Sequence, residues 1–432
     1  EIEAKNESPL PQHLRDYQNR VAQGVLVRAR SQFLAATGRP VPDLDAPLVN
    51  RFPDLEHESD RRFSHSPGDV IIGQPIRNIH AEGQCTGKAM YSGDVRYDGQ
   101  LHAAVVTSPV ASAELHGIDV TEALKMPGAV TYLDAGDVVG DNWFGFRNPQ
   151  EERLLPTSEL SYVGQPVAVV VAGTAKQARN MATEVKLNMT VNTPILTVEE
   201  ALERKSFHGD PKGYEVLQGS PDAAFARSDV VIVEGKIDLP GQQHFYLEPQ
   251  NSLVFPQEDG GVRVHASSQS PTDIVRHLSS ALDIPIEKVD VKVGSVGGAF
   301  GAKQLRAGPI AAMAALAAVK TKRPVHLELT REQDMAWCPG RSRATAKYRA
   351  AFDRDTGKAL GVDVTYLNDG GFSADYSVDI AQTVALLMDS VYVDVPVPVQ
   401  QNVSFFVDFC YVVCFYVYEG TISRICVPGP TA

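Results

Sequence analysis

Cysteine and basic residues are both scarce in this sequence. Only five of its 432 residues are cysteine, and no two of them have the C-x-x-C spacing of a zinc site or a redox dithiol. This usage is typical of a cytoplasmic protein with reduced thiols. Lysine and arginine number 40 against 53 acidic residues, which gives a formal net charge of -13. The balance argues against a nucleic-acid partner or an anionic membrane surface, but leaves room for one local basic pocket that holds an anionic cofactor.

Long apolar runs are also missing. The most apolar stretch, residues 403–418, is interrupted by Ser404 and Asp408. It is shorter than the roughly 20 clean residues that a spanning helix needs, and its aromatic and β-branched residues favour a strand. The first residues lack the basic-then-apolar pattern of a secretory signal. We therefore expect a cytoplasmic protein without a membrane segment, and we interpret the start at Glu1 as a cut edge.

What remains is an ordinary globular composition, with 43% hydrophobic and 22% charged residues. At about 150 residues per domain, the length suggests about three domains. Apolar residues at three- and four-residue spacing predict an amphipathic helix over residues 12–37. Residues 41–69 are rich in proline, aspartate, glutamate and histidine without periodicity, which predicts a surface linker.

Residues 82–192 predict a compact α/β domain. The expected strands span 101–107, 129–133 and 165–171, and the expected helices span 121–125 and 175–188. A second linker, with several prolines and glycines, covers residues 193–214, and a second α/β region begins at Val216.

The second region contains two units with one layout, a strand that leads through a loop into a helix. In the first unit, strand 262–267 precedes a helix for which Ser270 is the expected N-cap, with Pro271 in the first turn and Asp273 as its capping partner. The expected buried stripe of this helix consists of Ile274, Leu278 and Leu282. In the second unit, strand 289–293 leads through loop 294–303 into a helix over 309–321. Side by side, the two units would aim unpaired backbone N–H groups at one place, which suits phosphates or oxo groups.

Loop 294–303 has four glycines within its first eight residues, which let a ligand approach the backbone closely. Ala302 stands where a Walker A loop needs glycine before its lysine, and no G-x-G-x-x-G follows the strand. From its residues alone, the loop is equally a structural turn or a ligand cradle. Phe300 in such a loop either plugs a core or shields a buried ligand.

Two other segments leave alternatives open. Gln269 stands at a helix mouth, where a glutamine bonds either a ligand or nearby backbone and water. His244 and Glu248 could form an i, i+4 metal pair, but Pro249 and the β-type composition of residues 243–250 favour a strand with locally satisfied side chains. No Ser-His-Asp or Cys-His arrangement follows from the order of the residues.

Four stretches together resemble the xanthine dehydrogenase and aldehyde oxidase family of molybdenum hydroxylases. They are G-Q-C-T-G-K-A-M-Y at 83–91, Y-V-G-Q-P-V-A at 162–168, H-F-Y-L-E-P-Q at 244–250 and V-G-G-A-F-G-A-K at 296–303. Gln269 lies at the family's distance upstream of the last stretch. The resemblance runs from about residue 12 to about residue 396, and the order and spacing of all four motifs agree with it.

The resemblance implies an α/β (α+β) fold with a hammerhead domain before a partial molybdopterin-binding domain. The implied segments are 1–40 (end of the flavin domain), 41–80 (linker), 81–192 (hammerhead), 213–396 (first molybdopterin-binding domain) and 397–432 (unrelated or mispredicted tail). It implies that Gln269 bonds the apical oxo group of molybdenum, and that Gly298, Phe300 and Gly301 contact molybdopterin. It further implies a homodimeric longer protein with FAD and 2Fe-2S clusters, which hydroxylates an aldehyde or N-heterocycle. The catalytic glutamate base has no counterpart in this chain.

Departures from the family shape the remaining expectations. Ala299 and Ala302 replace usual glycines, and a methyl group there would clash if the backbone needed positive φ. Gln304 stands where purine-oxidising members carry a substrate-binding glutamate, and residues 382–388, with Thr383, hold no arginine to match their second substrate contact. Both changes point away from xanthine as a substrate.

Three hypotheses follow. The first is a fragment of a molybdenum hydroxylase, inactive alone. The second is a non-catalytic scaffold or dimerisation module whose cofactor site has decayed. The third is an unrelated soluble binding protein with a phosphate-holding glycine loop. A large separation between Gln269 and Phe300 in the structure would exclude the family interpretation of the site.

Overall fold

The computed structural model describes residues 76–145, 151–208, 214–218, 221–338, 340–386, 400–405 and 411–417. The helix expected over 12–37 and nearly all of the linker expected over 41–80 lie outside these residues. Among the described helices, none is both long and apolar enough to cross a membrane.

The described part of the chain contains both strands and α-helices. The strands are β1 (Leu101–Thr107), β2 (Ala113–Asp119), β3 (Ala129–Leu133), β4 (Trp143–Phe144), β5 (Glu152–Arg153), β6 (Glu159–Leu160), β7 (Pro166–Ala172), β8 (Lys186–Val191), β9 (Tyr214–Gln218), β10 (Val230–Leu239), β11 (Asn251–Pro256), β12 (Val262–Ala266), β13 (Val289–Lys292), β14 (Val325–Glu328), β15 (Ala344–Asp353), β16 (Ala359–Asn368), β17 (Gln400–Phe405) and β18 (Tyr411–Val417). The helices are α1 (Ala81–Cys85), α2 (Ala175–Thr183), α3 (Val198–Arg204), α4 (Pro221–Phe225), α5 (Pro271–Leu282), α6 (Ala307–Thr321), α7 (Arg331–Trp337) and α8 (Ser377–Leu386).

One seven-stranded sheet runs through both predicted α/β regions, in the order β13-β12-β11-β14-β1-β7-β3. The join is the parallel pair of β1 and β14, in which Leu101 lies opposite Val325. One hydrophobic core therefore contains side chains from both regions, such as Val169 and Leu327. The two regions therefore share one central sheet and one continuous core.

Helix α6 lies at the centre of this core. All its residues from Ala307 to Ala318 are buried, and the helix packs against β11, β14 and α5. Alanine side chains allow this close approach on every face, so α6 is apolar all round instead of amphipathic. The helix consequently fixes the end of the glycine-rich loop that precedes it.

A second sheet has the strand order β10-β15-β16-β18-β17-β9. Its strands β17 and β18 come from the segment beyond the family resemblance, and their backbones pair with β16 and β9. The strand expected over 403–418 is thus found as parts of two strands.

Most of the expected strands are found, and four local predictions are wrong. The linker expected over 193–214 contains helix α3 (Val198–Arg204). β1 and β3 have the predicted bounds, and the predicted stripe of α5 is buried. The helix expected over 175–188 ends at Thr183, because residues from Lys186 onward pair with β2 as β8. The Ser270 side chain forms no cap hydrogen bond. The backbone N–H of Ser270 donates to the Ser268 hydroxyl over 3.0 Å. Residues 243–250 are irregular instead of a strand.

Candidate cofactor site

The two strand–loop–helix units meet at one edge of the central sheet. Because β12 and β13 are parallel neighbours, their carboxyl ends lie together and both loops leave from the same edge. The Gln269 N–H donates to the Lys303 carbonyl over 2.9 Å. In return, the Gly301 N–H donates to Gln269 Oε1 over 3.0 Å. Gln269 and Phe300 therefore lie close together, so the separation that would exclude the family interpretation of the site is not observed.

Phe300 and Gly301 both adopt left-handed backbone, with φ of 52° and 99°. A bulky residue with positive φ is an outlier, and such strain clusters at functional sites. Phe300 is also 72% exposed, so its ring does not plug a core. A Cβ added to Gly301 would meet only His244 Nε2, at 4.0 Å, so the space above Gly301 is open to a ligand.

The Gln269 amide has a defined orientation. Because Oε1 accepts from Gly301, the Nε2 group is the free end of the amide, and within the described part of the chain it has no acceptor. This assignment follows from the hydrogen-bond network, since amide O and N are placed by their partners. The site thus offers two N–H donors to an oxo or carbonyl oxygen. We call Gln269, Phe300, Gly301 and His244 the exposed face of the loop.

The other side of the loop rests on the Glu248 carboxylate. Its Oε2 accepts from the Gly297 N–H and from the Ser267 hydroxyl, each over 2.7 Å. The Glu248 N–H donates to the Gly297 carbonyl over 3.2 Å. The carboxylate therefore holds the loop at the turn that leads to the exposed face.

Lys303 is fully buried, at 0% exposure, beneath the same loop. Its Nζ donates to the Glu248 carbonyl over 2.6 Å, to the Ser267 hydroxyl over 2.8 Å and to Glu248 Oε2 over 3.2 Å. Burial lowers the pKa of Lys303, and the Glu248 carboxylate opposes that shift. Three donors meet three acceptors, so the ammonium group is satisfied within the protein.

A further layer of polar contacts supports Lys303 and Ala302. The Gln250 amide donates to the Ala302 carbonyl over 3.0 Å, and the Gln250 N–H donates to Asp334 over 2.6 Å. The Tyr246 hydroxyl also donates to Asp334. We call Glu248, Ser267, Lys303 and Gln250 the buried face of the loop.

Gly298 and the two alanines serve the buried side. Gly298 has a φ of 95°, and a Cβ there would lie 2.8 Å from the Tyr246 Cβ, so this glycine permits close packing. Ala299 and Ala302 are 8% and 5% exposed. Neither is among the described non-glycine residues with positive φ. The condition for backbone strain is therefore not met at either alanine, and both methyl groups are buried within the protein.

A cluster of buried charges just after the loop was missed in the sequence. Arg306 is 2% exposed, and its guanidinium donates to both carboxylate oxygens of Glu152, each over 2.6 Å. It also contacts Asp375 Oδ2 at 3.4 Å. Burial raises the pKa of Asp375 to about 6, although Arg306 opposes this. Glu152 precedes Arg306 by 154 residues, so no local pattern indicated the pair.

Gln304, the predicted substrate-binding residue, lies between the buried cations Lys303 and Arg306 in the sequence. The Gln304 N–H donates to the Gly301 carbonyl over 3.2 Å, and its half-buried side chain interacts with the Tyr376 hydroxyl. Thr383 is exposed on α8. Gln304 is therefore attached directly to the exposed face through the backbone of Gly301.

Neither the candidate His244–Glu248 metal pair nor a polar groove elsewhere on the protein provides a competing site. Glu248 is directed to Lys303, and among the described residues no group of three or more His, Cys, Asp or Glu side chains could hold a metal ion. A polar groove is lined by residues of β2, β6 and the 192–195 segment, together with Arg204, and by none of the exposed-face residues.

Two family models match the chain. The aldehyde oxidase and xanthine dehydrogenase a/b hammerhead domain matches residues 86–192, and the molybdopterin cofactor-binding domain matches residues 206–408. The second match extends beyond residue 396, where the resemblance of the sequence motifs ended.

Individual relatives agree with these models. Aldehyde oxidase 2 of Rattus norvegicus is 36% identical over 332 residues, which are 76% of this chain and 24% of that protein. Xanthine dehydrogenase/oxidase of Gallus gallus is 34% identical over 323 residues, which are 74% of this chain and 23% of that protein. The chain thus spans about a quarter of the length of the curated relatives it matches.

Solved structures show the same fold. The aldehyde oxidoreductase from Desulfovibrio gigas superposes with a TM-score of 0.65 at 25% identity, over 71% of this chain and 35% of that chain. The enzyme from Desulfovibrio desulfuricans gives 0.64 at 26% identity, with the same shares of each chain. The chain therefore belongs to the aldehyde oxidase and xanthine dehydrogenase family of molybdenum hydroxylases.

Proposed function

We propose that this chain supplies one half of the molybdopterin site of a molybdenum hydroxylase, through the exposed face of loop 294–303. The observation that carries the proposal is the hydrogen bond from the Gly301 N–H to Gln269 Oε1 beside the exposed Phe300. It combines an oriented amide donor, an aromatic ring and side-chain-free backbone on one surface. These groups fit the oxo groups and the flat ring system of molybdenum cofactor.

Each residue has a separate task at this surface. When bound, the cofactor supplies the two-electron oxidation that hydroxylates the substrate with oxygen from water. Gln269 Nε2 donates a hydrogen bond to an oxo group, while its Oε1 stays fixed by Gly301. Gly301 lets the pterin approach the backbone, since the space above it is open. Phe300 covers the pterin and excludes water from it.

The proposed substrate of the longer protein is an aldehyde or an uncharged N-heterocycle. Gln304 is a neutral side chain at the position where purine oxidation uses a carboxylate, and its neighbour Tyr376 is neutral as well. No arginine lies within residues 376–386. Relatives named aldehyde oxidases support this class. FAD, 2Fe-2S clusters, homodimer formation and a cytoplasmic location are proposed for the longer protein on the same basis.

The 432-residue chain alone is proposed to be inactive, since no residue in it matches the family's catalytic glutamate. Its purified form should oxidise no aldehyde above a protein-free blank and retain no molybdopterin through gel filtration. Turnover above the blank would contradict this part of the proposal.

The cofactor half-site is tested in a chimera that carries residues 86–386 in place of the matching segment of the rat aldehyde oxidase 2. Gly301→Val fills the space above the loop, and Gly260→Val is its matched control, because Gly260 also has positive φ (82°) and an open Cβ position. We expect Gly301→Val to lose bound molybdopterin, measured per folded protein, and Gly260→Val to keep it. A folded chimera that never holds molybdopterin, or equal retention in both variants, contradicts the proposal.

The alternative is a scaffold whose cofactor site has decayed. The left-handed Gly301 and the negative φ at both alanines favour an intact loop over a decayed one. Sequencing of the mature transcript separates the two. A reading frame that continues with an F-R-G-F-G-G-like loop, which the family carries later in its sequence, and a late glutamate supports the enzyme. A stop at residue 432 supports the scaffold.

A further inference from the structure

Apart from His244 on the exposed face, the H-F-Y-L-E-P-Q motif has no task in the proposed function, although it was one of the four that carried the family resemblance. In the structure it wraps around the buried face of the glycine-rich loop. Tyr246 packs against Lys303, whose Nζ lies 4.5 Å from the ring centroid, and Gln250 holds the Ala302 carbonyl. Between them, Glu248 contacts the loop at two points, Gly297 and Lys303.

The lysine of a glycine-rich loop commonly binds a phosphate, as in a P-loop. Lys303 cannot do so in this conformation. Its side chain is 0% exposed, and three acceptors within 3.2 Å use its three N–H groups. Turning the ammonium group toward a ligand would leave the Glu248 carboxylate, 11% exposed, without its cation.

The Glu248 carboxylate is likewise engaged within the protein. Oε2 accepts from Gly297, Ser267 and Lys303, and Oε1 accepts from Asn251 over 3.2 Å. The N–H of Gly297 is the contact that reaches the loop backbone, four residues before Gly301. A change at Glu248 therefore acts on the exposed face through the backbone, without touching any ligand.

We propose that Glu248 is a positioning residue of the cofactor loop and that Lys303 is its internal counter-charge instead of a cofactor ligand. The charged hydrogen bond to Gly297 holds the turn that leads into the left-handed Phe300 and Gly301, and so keeps the Gly301 N–H on Gln269. This inference rests on the proposed function only for the identity of the ligand that the loop holds, molybdopterin. The conformation of the loop is measurable in the 432-residue chain without any cofactor.

The test follows amide hydrogen exchange of individual glycines by NMR in the 432-residue chain with isotope-labelled glycine. Gly173 is the internal reference, because its N–H donates to the Gly128 carbonyl over 3.0 Å and is not part of the loop. Loss of a charged hydrogen bond should raise the exchange of Gly297 and Gly301 in Glu248→Gln by about 10- to 100-fold relative to Gly173.

Two further variants separate positioning from general stability. Glu152→Gln breaks the other buried ion pair and should leave the Gly297-to-Gly173 ratio unchanged. Glu248→Leu with Lys303→Met replaces the whole ion pair by apolar side chains. The unfolding midpoint of this double variant should therefore lie near that of the parent chain. Gly297 and Gly301 should nevertheless keep exchanging fast, because their anchor is gone.

Three results would overturn the proposal. They are an unchanged Gly297-to-Gly173 ratio in Glu248→Gln, an equal rise in Glu152→Gln, and restored protection in the apolar double variant. None of them bears on molybdopterin content, so failure here is distinct from failure of the proposed function.

Discussion

The exposed face and the buried face of loop 294–303 differ in burial and in hydrogen bonding, although both are built around one short loop. On the buried face, Lys303 is 0% exposed and each of its donors has an acceptor in the protein. On the exposed face, Phe300 is 72% exposed and adopts strained backbone. The buried face therefore stabilises the fold without a ligand. The exposed face contributes little to the fold and keeps the groups that a ligand would use.

The comparison predicts opposite consequences for substitutions a few residues apart. Changes on the buried side, or at Arg306 just after the loop, should cost free energy of unfolding. Changes on the exposed face should leave that free energy nearly unchanged and affect binding alone.

The largest effect is expected for Arg306→Met. It leaves the carboxylates of Glu152 and Asp375 buried without a cation, which should lower the free energy of unfolding by about 3–5 kcal/mol. Urea unfolding measures this, with Arg263→Met as the control, because the Arg263–Asp290 pair is about half exposed and should cost about 0–1 kcal/mol. Equal losses in both variants would contradict the distinction between buried and exposed pairs.

The next effect depends on pH. Burial raises the pKa of Asp375 from 3.8 to about 6, so between these values the folded chain binds a proton that the unfolded chain has lost. The contribution of Asp375 to the free energy of unfolding therefore falls as the pH rises through this window, by about 1–3 kcal/mol. Asp375→Asn removes this fall, so the variant should gain on the parent chain from pH 4 to pH 7 in urea unfolding. A difference that is constant across the window would show that Asp375 does not titrate there.

A smaller loss is expected for Ala302→Gly, which restores the residue usual in the family. Ala302 does not have positive φ, so glycine brings no relief of strain, and a methyl group is removed from the core. We expect a loss of about 1 kcal/mol. A gain in thermal stability would instead indicate that the alanine is strained.

The smallest effect on stability is expected for Phe300→Ala, within about 0.5 kcal/mol, since the ring is exposed. Leu196→Ala, at 60% exposure, is the matched surface control. In the chimera, Phe300→Ala should lower molybdopterin retention and Leu196→Ala should not. A large loss of stability in Phe300→Ala would mean that the exposed face is part of the core.

Local patterns predicted strands and helices well where the burial of one face determines the secondary structure. The bounds of β1 and β3 and the buried stripe of α5 follow from side-chain periodicity. The fold class and the meeting of Gln269 with the glycine-rich loop followed from the family motifs and their spacing. Each of these predictions depends either on a short segment or on an order of motifs that the family shares.

Long-range contacts explain what the sequence did not predict. Residues 243–250 have the composition of a strand, but their backbone and side chains bond to the loop and to Asp334 instead of to a neighbouring strand. Residues 186–188 were expected to belong to the helix over 175–188, yet the segment Lys186–Val191 pairs with β2. The Glu152–Arg306 pair joins residues 154 positions apart. Its expected effect on stability comes from its burial, which no local sequence pattern indicates.

The most direct test is a structure of the molybdopterin-loaded chimera. The account predicts ligand density against Gly301 and Phe300, within hydrogen-bond distance of Gln269 Nε2, with Lys303 still bonded to Glu248. Density in the groove beside Arg204, or a Lys303 side chain turned toward the cofactor, would contradict it.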